Sequence, residues 1–205
     1  DQASLAVGIN DDYMKQVDAF LDHCRHFGIE YLNEGGMTLD TFRERIAGRV
    51  EAKTLVWRGA AKVTALKPGV AWKRYRDGWE KAPLFAKAKP VATGTAETMA
   101  LPEHGPTELF GMVYEGYIDI PEDGVWSFYT NSDDGSMLYV DGAAVVDNGG
   151  RHAMEERVGF AALKKGPHPV KVVWFNGAGG LGLDVSIKGP NMDKQAIPAS
   201  MLFCK

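Results

Sequence analysis

The apolar positions change period once along the chain. Up to about residue 50 they recur at helical spacing. Tyr13, Val17, Phe20, Cys24 and Phe27 form one stripe, with Met14 and Leu21 beside it. Asn10 and Asp11 are suited to cap its start, because a short polar side chain accepts from the first free backbone N–H groups. Gly28 is suited to end it. Ile29 to Leu32 is a short alternating piece, followed by a turn at Gly35 and Gly36. Leu39, Phe42, Ile46 and Val50 repeat the helical stripe, with Thr38 as cap and Asp40 and Glu44 toward its N-terminal half. A helix pair of this size has too little surface to bury its own apolar face, so it is expected to lean on the rest of the chain or on a neighbour.

From about Lys53 the segments become short, apolar and punctuated. Thr54 to Trp57, Ala71 to Tyr75, Tyr114 to Ile120, Trp126 to Thr130, Met137 to Val140, Ala144 to Val146, Val158 to Leu163, Val170 to Phe175 and Leu181 to Ile187 read as strands. Several alternate with a period of two, most cleanly Leu183 to Ile187. Between them lie Pro121 to Gly124, Asp133 to Gly135, Asp141–Gly142, Asn148 to Gly150, Lys165–Gly166 and Asn176–Gly177. These are turn sequences: Gly supplies positive φ, and Asn and Asp tolerate it. Many strands at short spacing predict an antiparallel β-sandwich rather than a βαβ fold. The expected organisation is a helical segment over 1–52, read as the tail of an upstream domain, and a mainly β, jelly-roll-like sandwich over 53–205.

Composition adds little to this picture but removes several functions. Gly makes up 24 of the 205 residues, which matches a chain rich in turns. The formal net charge of -4 argues against a general nucleic-acid binder, which needs a basic face to displace counterions. No apolar run approaches the roughly 18 residues of a membrane-spanning helix. The two cysteines, Cys24 and Cys204, are neither a disulfide scaffold nor a zinc array, and the sequence leaves open whether they pair.

The order of motifs in the second part resembles a known family. Gly116 to Gly124 is followed by Trp126 to Ser136, Leu138 to Gly142 and Val146 to Gly149. His152, the Leu163 to His168 turn and Val172 to Phe175 follow these, and Trp72 to Trp79 with Pro83 to Phe85 opens the series. Over about residues 66–203 this resembles the protective-antigen-type fourteen-kilodalton domain, a lectin-like β-sandwich. That family occurs as a module in secreted glycosidases, fungal adhesins and toxins. The resemblance therefore implies a secreted, periplasmic or cell-surface setting. Over a short stretch, Val17 to Leu32 is similar to the closing helix of a β-N-acetylhexosaminidase barrel. This implies that the chain is the tail of a larger enzyme whose catalytic carboxylates lie upstream.

Asp133–Asp134–Gly135 is the sharpest candidate for chemistry. Neighbours in a regular strand point to opposite faces, so two adjacent carboxylates share a ligand only where the backbone turns sharply. In the lectins that this motif resembles, the Asp–Asp peptide bond is cis, both carboxylates hold one Ca²⁺, and an Asn from a later loop completes the site. The resemblance thus implies a metal set of Asp133, Asp134 and Asn176. The Asn176 loop is more Gly-rich and shorter than that comparison leads one to expect. The same residues also admit a reading without metal, in which the carboxylates hold a turn by accepting backbone N–H bonds.

Sugar binding needs an aromatic or apolar face and convergent polar groups. Trp126, Tyr129, Tyr139 and Trp174 fall within strands, where core packing competes for them. Loop residues are better candidates: Asn131, Asn148, Arg151, His152 and Asn176. The carbohydrate-binding set expected here is Asp133, Asp134, Asn148, Arg151, His152 and Asn176. His23 and His26, with Cys24 between them, have no second ligand pair at zinc spacing and read as a solvated helix face. Gly177 to Gly182 superficially matches a dinucleotide loop but is followed by a strand, not a helix. There is no nucleophile elbow, phosphate loop or zinc-protease motif. Asp133 and Asp134 are adjacent in sequence, unlike the two flanking carboxylates of a glycosidase. Three functions follow. The first is a non-catalytic carbohydrate-binding module with a glycan as its partner. The second is an accessory domain that packs on the catalytic domain of its parent protein. The third is an adhesin-like protein-binding module.

Overall fold

In the computed structural model, residues 15–30, 37–43, 55–81 and 88–205 are described. The chain divides into two units, Asp1–Val56 and Trp57–Lys205.

In the first unit a helix runs over 15–26. It stops at Gly28, whose φ of 69° is the left-handed conformation that glycine adopts without a Cβ penalty. The N–H groups of Gly28 and Ile29 donate to Arg25 O (3.0 Å) and Cys24 O (2.9 Å), which satisfies the last free carbonyls. A second helical stretch starts at Leu39, capped by Thr38, whose Oγ1 accepts from Thr41 N–H at 3.2 Å. Val17, Leu21, Cys24 and Leu39 form the small core, with Phe42 against it. Val17 and Cys24 of the expected stripe are buried, but the neighbouring Leu21 joins them in place of Phe20 and Phe27, which are exposed. The proposed caps Asn10 and Asp11, and the later Ile46 and Val50, lie outside the described residues. His23 and His26 are exposed, each with its ring against that of Phe27. Both cysteines are buried free thiols.

The second unit is an antiparallel β-sandwich, with twelve strands among the described residues. The strands are β1 (Lys67–Pro68), β2 (Val70–Arg76), β3 (Ala92–Ala96), β4 (Phe110–Ile120), β5 (Gly124–Asp133) and β6 (Ser136–Val140). They continue with β7 (Ala143–Asn148), β8 (Glu155–Leu163), β9 (Gly166–Asn176), β10 (Gly182–Gly189), β11 (Met192–Ala196) and β12 (Leu202–Cys204). The larger sheet has the order β1-β12-β4-β9-β6-β7, with β2 on β4 and β3 on β2. The smaller has the order β11-β10-β5-β8.

Period-two alternation builds the core between them. In β5, Trp126, Phe128, Thr130 and Ser132 point inward, while Ser127, Tyr129 and Asn131 point outward. Met112, Tyr114, Ile118, Leu138, Val172 and Trp174 meet them from the larger sheet. That sheet also buries part of its other face, where Val113, Val173 and Phe175 pack with Tyr75 and Trp79. This is why β4 and β9 read as nearly continuous apolar runs. The β6–β7 hairpin turns on Asp141 and Gly142, with φ of 51° and 78°, the pair of positive values that a two-residue hairpin requires.

Two expectations need correction. Residues 55–57 are not a strand; only Arg58 makes an isolated bridge, to Leu163. Four strands were not expected: β1, β3 and β11, which carry no strong apolar pattern, and β12, which is apolar but only three residues long. In β3 the small residues are a packing requirement. A Cβ at Gly94 would fall 2.7 Å from Cζ2 of Trp72, whose indole lies over it from β2.

Candidate functional site

One end of the sandwich gathers the ends of β5, β7 and β9 and the starts of β6, β8 and β10. Its floor is polar and buried, unlike the apolar core beneath. Thr130, Ser132, Ser136 and Asn176 have no exposed surface. Ser132 and Ser136 share a hydroxyl hydrogen bond of 2.8 Å, and Asn148 Nδ2 donates to Ser132 Oγ at 3.2 Å. The indole N–H of Trp174 bridges two strand ends, donating to Asp133 O at 3.2 Å and Gly182 O at 3.0 Å. Trp174 and Trp126 are therefore core residues, both fully buried.

Asp133 closes β5, and its peptide bond to Asp134 is cis. Asp134 is buried, and its Oδ2 accepts from Gly177 N–H at 2.8 Å. The Arg151 guanidinium stands 3.9 Å from the same oxygen and also pairs with exposed Glu80 at 3.2 Å. Asn176 donates through Nδ2 to Thr107 O at 2.6 Å, while its Oδ1 is buried without a hydrogen-bond partner.

Three of the four glycines of the 177–182 loop have steric reasons, and Gly179 has a φ of 96°. A Cβ at Gly177 would run into the Arg151 guanidinium, one at Gly180 into the Asp133 carboxylate, and one at Gly182 into Met154 Sδ. The loop is Gly-rich because it lies flat against the two side chains that define the site. Gly135 is clamped in the same way, between the Gly149–Gly150 backbone and the ring of Phe175.

Asp133, Asp134, Arg151 and His152 thus come to one rim, with Asn176 in the buried floor directly beneath them. Asn148 does not present itself there: it is buried, and its amide N–H groups are spent on Ser132 Oγ and Glu155 O. It braces the loop from below. Asn131 is not a loop residue either. It lies in β5 and donates to Asp184 Oδ2 across the strand pair. Of the remaining aromatics, Tyr129 faces outward under Lys194, and Tyr139 packs on the outer face of the larger sheet. The apolar surface bordering the loop is aliphatic instead: Leu109, Met154 and Leu181 are all exposed.

His152 holds its loop through both ring nitrogens. Nδ1 lies 2.8 Å from Ala153 O and Nε2 3.1 Å from Asn148 O. Partial burial pulls its pKa down, but the two carbonyls, with Glu155 and Asp134 nearby, outweigh this and raise it above the ordinary value. Only the imidazolium donates from both nitrogens.

The oxygens of Asp133, Asp134 and Asn176 are a hard donor set of the kind Ca²⁺ takes. The partnerless Oδ1 of Asn176 is the observation that fits a cation here. Among the described residues no three His, Cys, Asp or Glu side chains group to hold a metal, so any such site depends on the asparagine. Sequence reasoning did not find Glu80, Thr107 or the Ser132–Ser136 pair. Glu80 and Thr107 lie about 70 positions from Arg151 and Asn176 along the chain, and the serines carry no motif.

Residues 66–200 match the model of the PA14 domain. Over 135 residues the chain is 28% identical to a beta-hexosaminidase of Porphyromonas gingivalis, covering 62% of this chain but 17% of that protein's length. The fold is similar to that of a PA14 sugar-binding domain from an RTX adhesin, with a TM-score of 0.58 and 14% identity, over 67% of this chain and 99% of that one. It is also similar to the Epithelial Adhesin 6 A domain of Candida glabrata, solved in complex with Galb1-3GlcNAc. That comparison has a TM-score of 0.54 and 11% identity, over 70% of this chain and 90% of that one. The chain belongs to the PA14 domain family.

Proposed function

We propose that the chain is a non-catalytic carbohydrate-binding module of a secreted, periplasmic or cell-surface glycan-processing protein. Its site is the rim built by Asp133, Asp134, Arg151 and His152, with Asn176 beneath them, and Ca²⁺ is its cation. Asp133, Asp134 and Asn176 would hold the ion, which when bound offers further coordination positions to sugar hydroxyls. The observation that carries the reading is Asn176 Oδ1, a buried acceptor without a partner. Asn176 directly precedes Gly177, whose N–H binds the buried Asp134 carboxylate. A buried acceptor left empty costs free energy, which a ligand at this position would recover. The protein's own residues do the rest. Asn148 and His152 fix the 148–152 loop, Trp174 ties Asp133 to Gly182, and Leu109, Met154 and Leu181 supply an apolar border. The solved relatives named above, a sugar-binding domain and a glycan complex, support the sugar class.

A second reading has its own support. The P. gingivalis relative is a beta-hexosaminidase of which this chain matches a minor share, and the rim lacks an aromatic from the four named above. The domain would then pack on a catalytic domain of its parent and bind no glycan itself. A glycan array probed with the wild-type chain and with Asp134→Ala, each in CaCl₂ and in EDTA, separates the two. Glycan signals that need both Ca²⁺ and Asp134 support the first reading. No signal from the folded wild-type chain in CaCl₂ overturns it in favour of the second.

A further inference from the structure

The Arg151 guanidinium lies 3.9 Å from Asp134 Oδ2, and its other end pairs with Glu80 at 3.2 Å. Asp134 is almost completely buried, with 9% of its side chain exposed, whereas Arg151 is at 44%. A buried carboxylate without a counter-charge is costly, and Arg151 is the only cationic side chain paired with Asp134 among the described residues. Gly177 leaves the space that the guanidinium fills; any Cβ there would collide with it. The position is therefore built to admit an arginine. Glu80 offers the same guanidinium a second, fully solvated anchor away from Asp134.

We propose that Arg151 is the resident counter-cation of Asp134 and that it trades places with Ca²⁺. The proposal rests on the calcium reading above. Without metal, Arg151 neutralises Asp134. When Ca²⁺ enters, the two positive charges repel at close range, and Arg151 moves away from Asp134 while keeping the Glu80 pair it already makes. The arginine thereby lowers calcium affinity and keeps the metal-free domain folded. Because the guanidinium is partly exposed, solvent weakens the repulsion, and an effect of about tenfold on affinity is the appropriate scale.

The test is calorimetric titration of CaCl₂ into the whole chain as wild type, Arg151→Gln and Arg151→Lys, with melting of each in EDTA. Arg151→Gln is expected to bind Ca²⁺ about tenfold more tightly than wild type and to melt lower in EDTA. Arg151→Lys, which keeps the charge, is expected to return both toward wild type. Calcium binding by wild type and Arg151→Gln with equal affinity overturns the exchange and leaves the calcium reading intact. No calcium binding by any of the three proteins overturns both. Binding by Arg151→Gln alone supports the exchange in its strongest form.

Discussion

The backbone N–H of Gly177 donates to Oδ2 of Asp134 at 2.8 Å, across 43 positions of chain. This bond joins the turn after β5 to the loop after β9 and brings the carboxylate to the side of Asn176. It holds the two loops together without any ligand, so Asp134 has a structural role independent of the binding role proposed for it.

Removing that carboxylate is expected to cost stability whether or not a glycan binds. Asp134→Ala leaves a buried N–H unsatisfied, a loss of about 1–3 kcal/mol. Urea unfolding in EDTA measures it, since no metal contributes there. Stability equal to wild type would mean that this bond does not hold the loop.

Gly135→Ala tests the clamp beneath the site. The new Cβ would lie 2.6 Å from Phe175 Cε1 and 2.9 Å from Gly149 C, and the backbone on that side cannot yield cheaply. Overpacking of this kind costs about 1–3 kcal/mol. The expected result is a lower urea midpoint with an unchanged slope.

Trp174→Phe keeps most of the apolar volume but removes the donor shared by Asp133 O and Gly182 O. Two carbonyls at strand ends lose their indole partner. A loss of about 1–2 kcal/mol is expected, together with weaker calcium binding, because the end of β5 is no longer tied to the start of β10.

His152 predicts a pH dependence with a definite sign. Its folded pKa is raised above the ordinary value, so its contribution is fully present below about pH 6.5, the ordinary histidine value. It is lost as pH rises through the folded pKa. His152→Gln should therefore destabilise the domain more at pH 5.5 than at pH 8.5. A penalty that is equal at both, or larger at the higher pH, contradicts the assignment. Chemical unfolding of both proteins at the two pH values provides the comparison.

How far the sequence led depended on which residues had to carry the pattern. Strands β5 and β10 alternate cleanly because each has one face in the core, and both were legible. Strands β3 and β11 were not. Gly94 has to be small beneath Trp72, and Met192–Ala196 is a mostly exposed edge strand with almost nothing to bury. The same limit applied to the first helix. Its stripe was visible, but Leu21 rather than Phe20 or Phe27 joins Val17 and Cys24 in the core. Asp133, Asp134 and Asn176 were singled out through the family resemblance, and the fold brings them to one end of the sandwich; their role as ligands is the proposal above. Asn148 looked like a loop residue because it ends a strand, whereas the buried Ser132 beneath it turns its amide inward. Glu80 carries no local signal, since only the folded chain brings it to Arg151.

Melting of the whole chain by calorimetry, first in CaCl₂ and then in EDTA, tests most directly whether this rim is a calcium-dependent site. A ligand at about 100 times its Kd stabilises the folded state by about 2.7 kcal/mol. For a domain of this size that raises the midpoint by about 5–10 °C. The expected result is a rise of that order for the β-sandwich transition in CaCl₂, reversed by EDTA and absent in Asp134→Ala. Identical midpoints for the wild-type chain in millimolar CaCl₂ and in EDTA would contradict it.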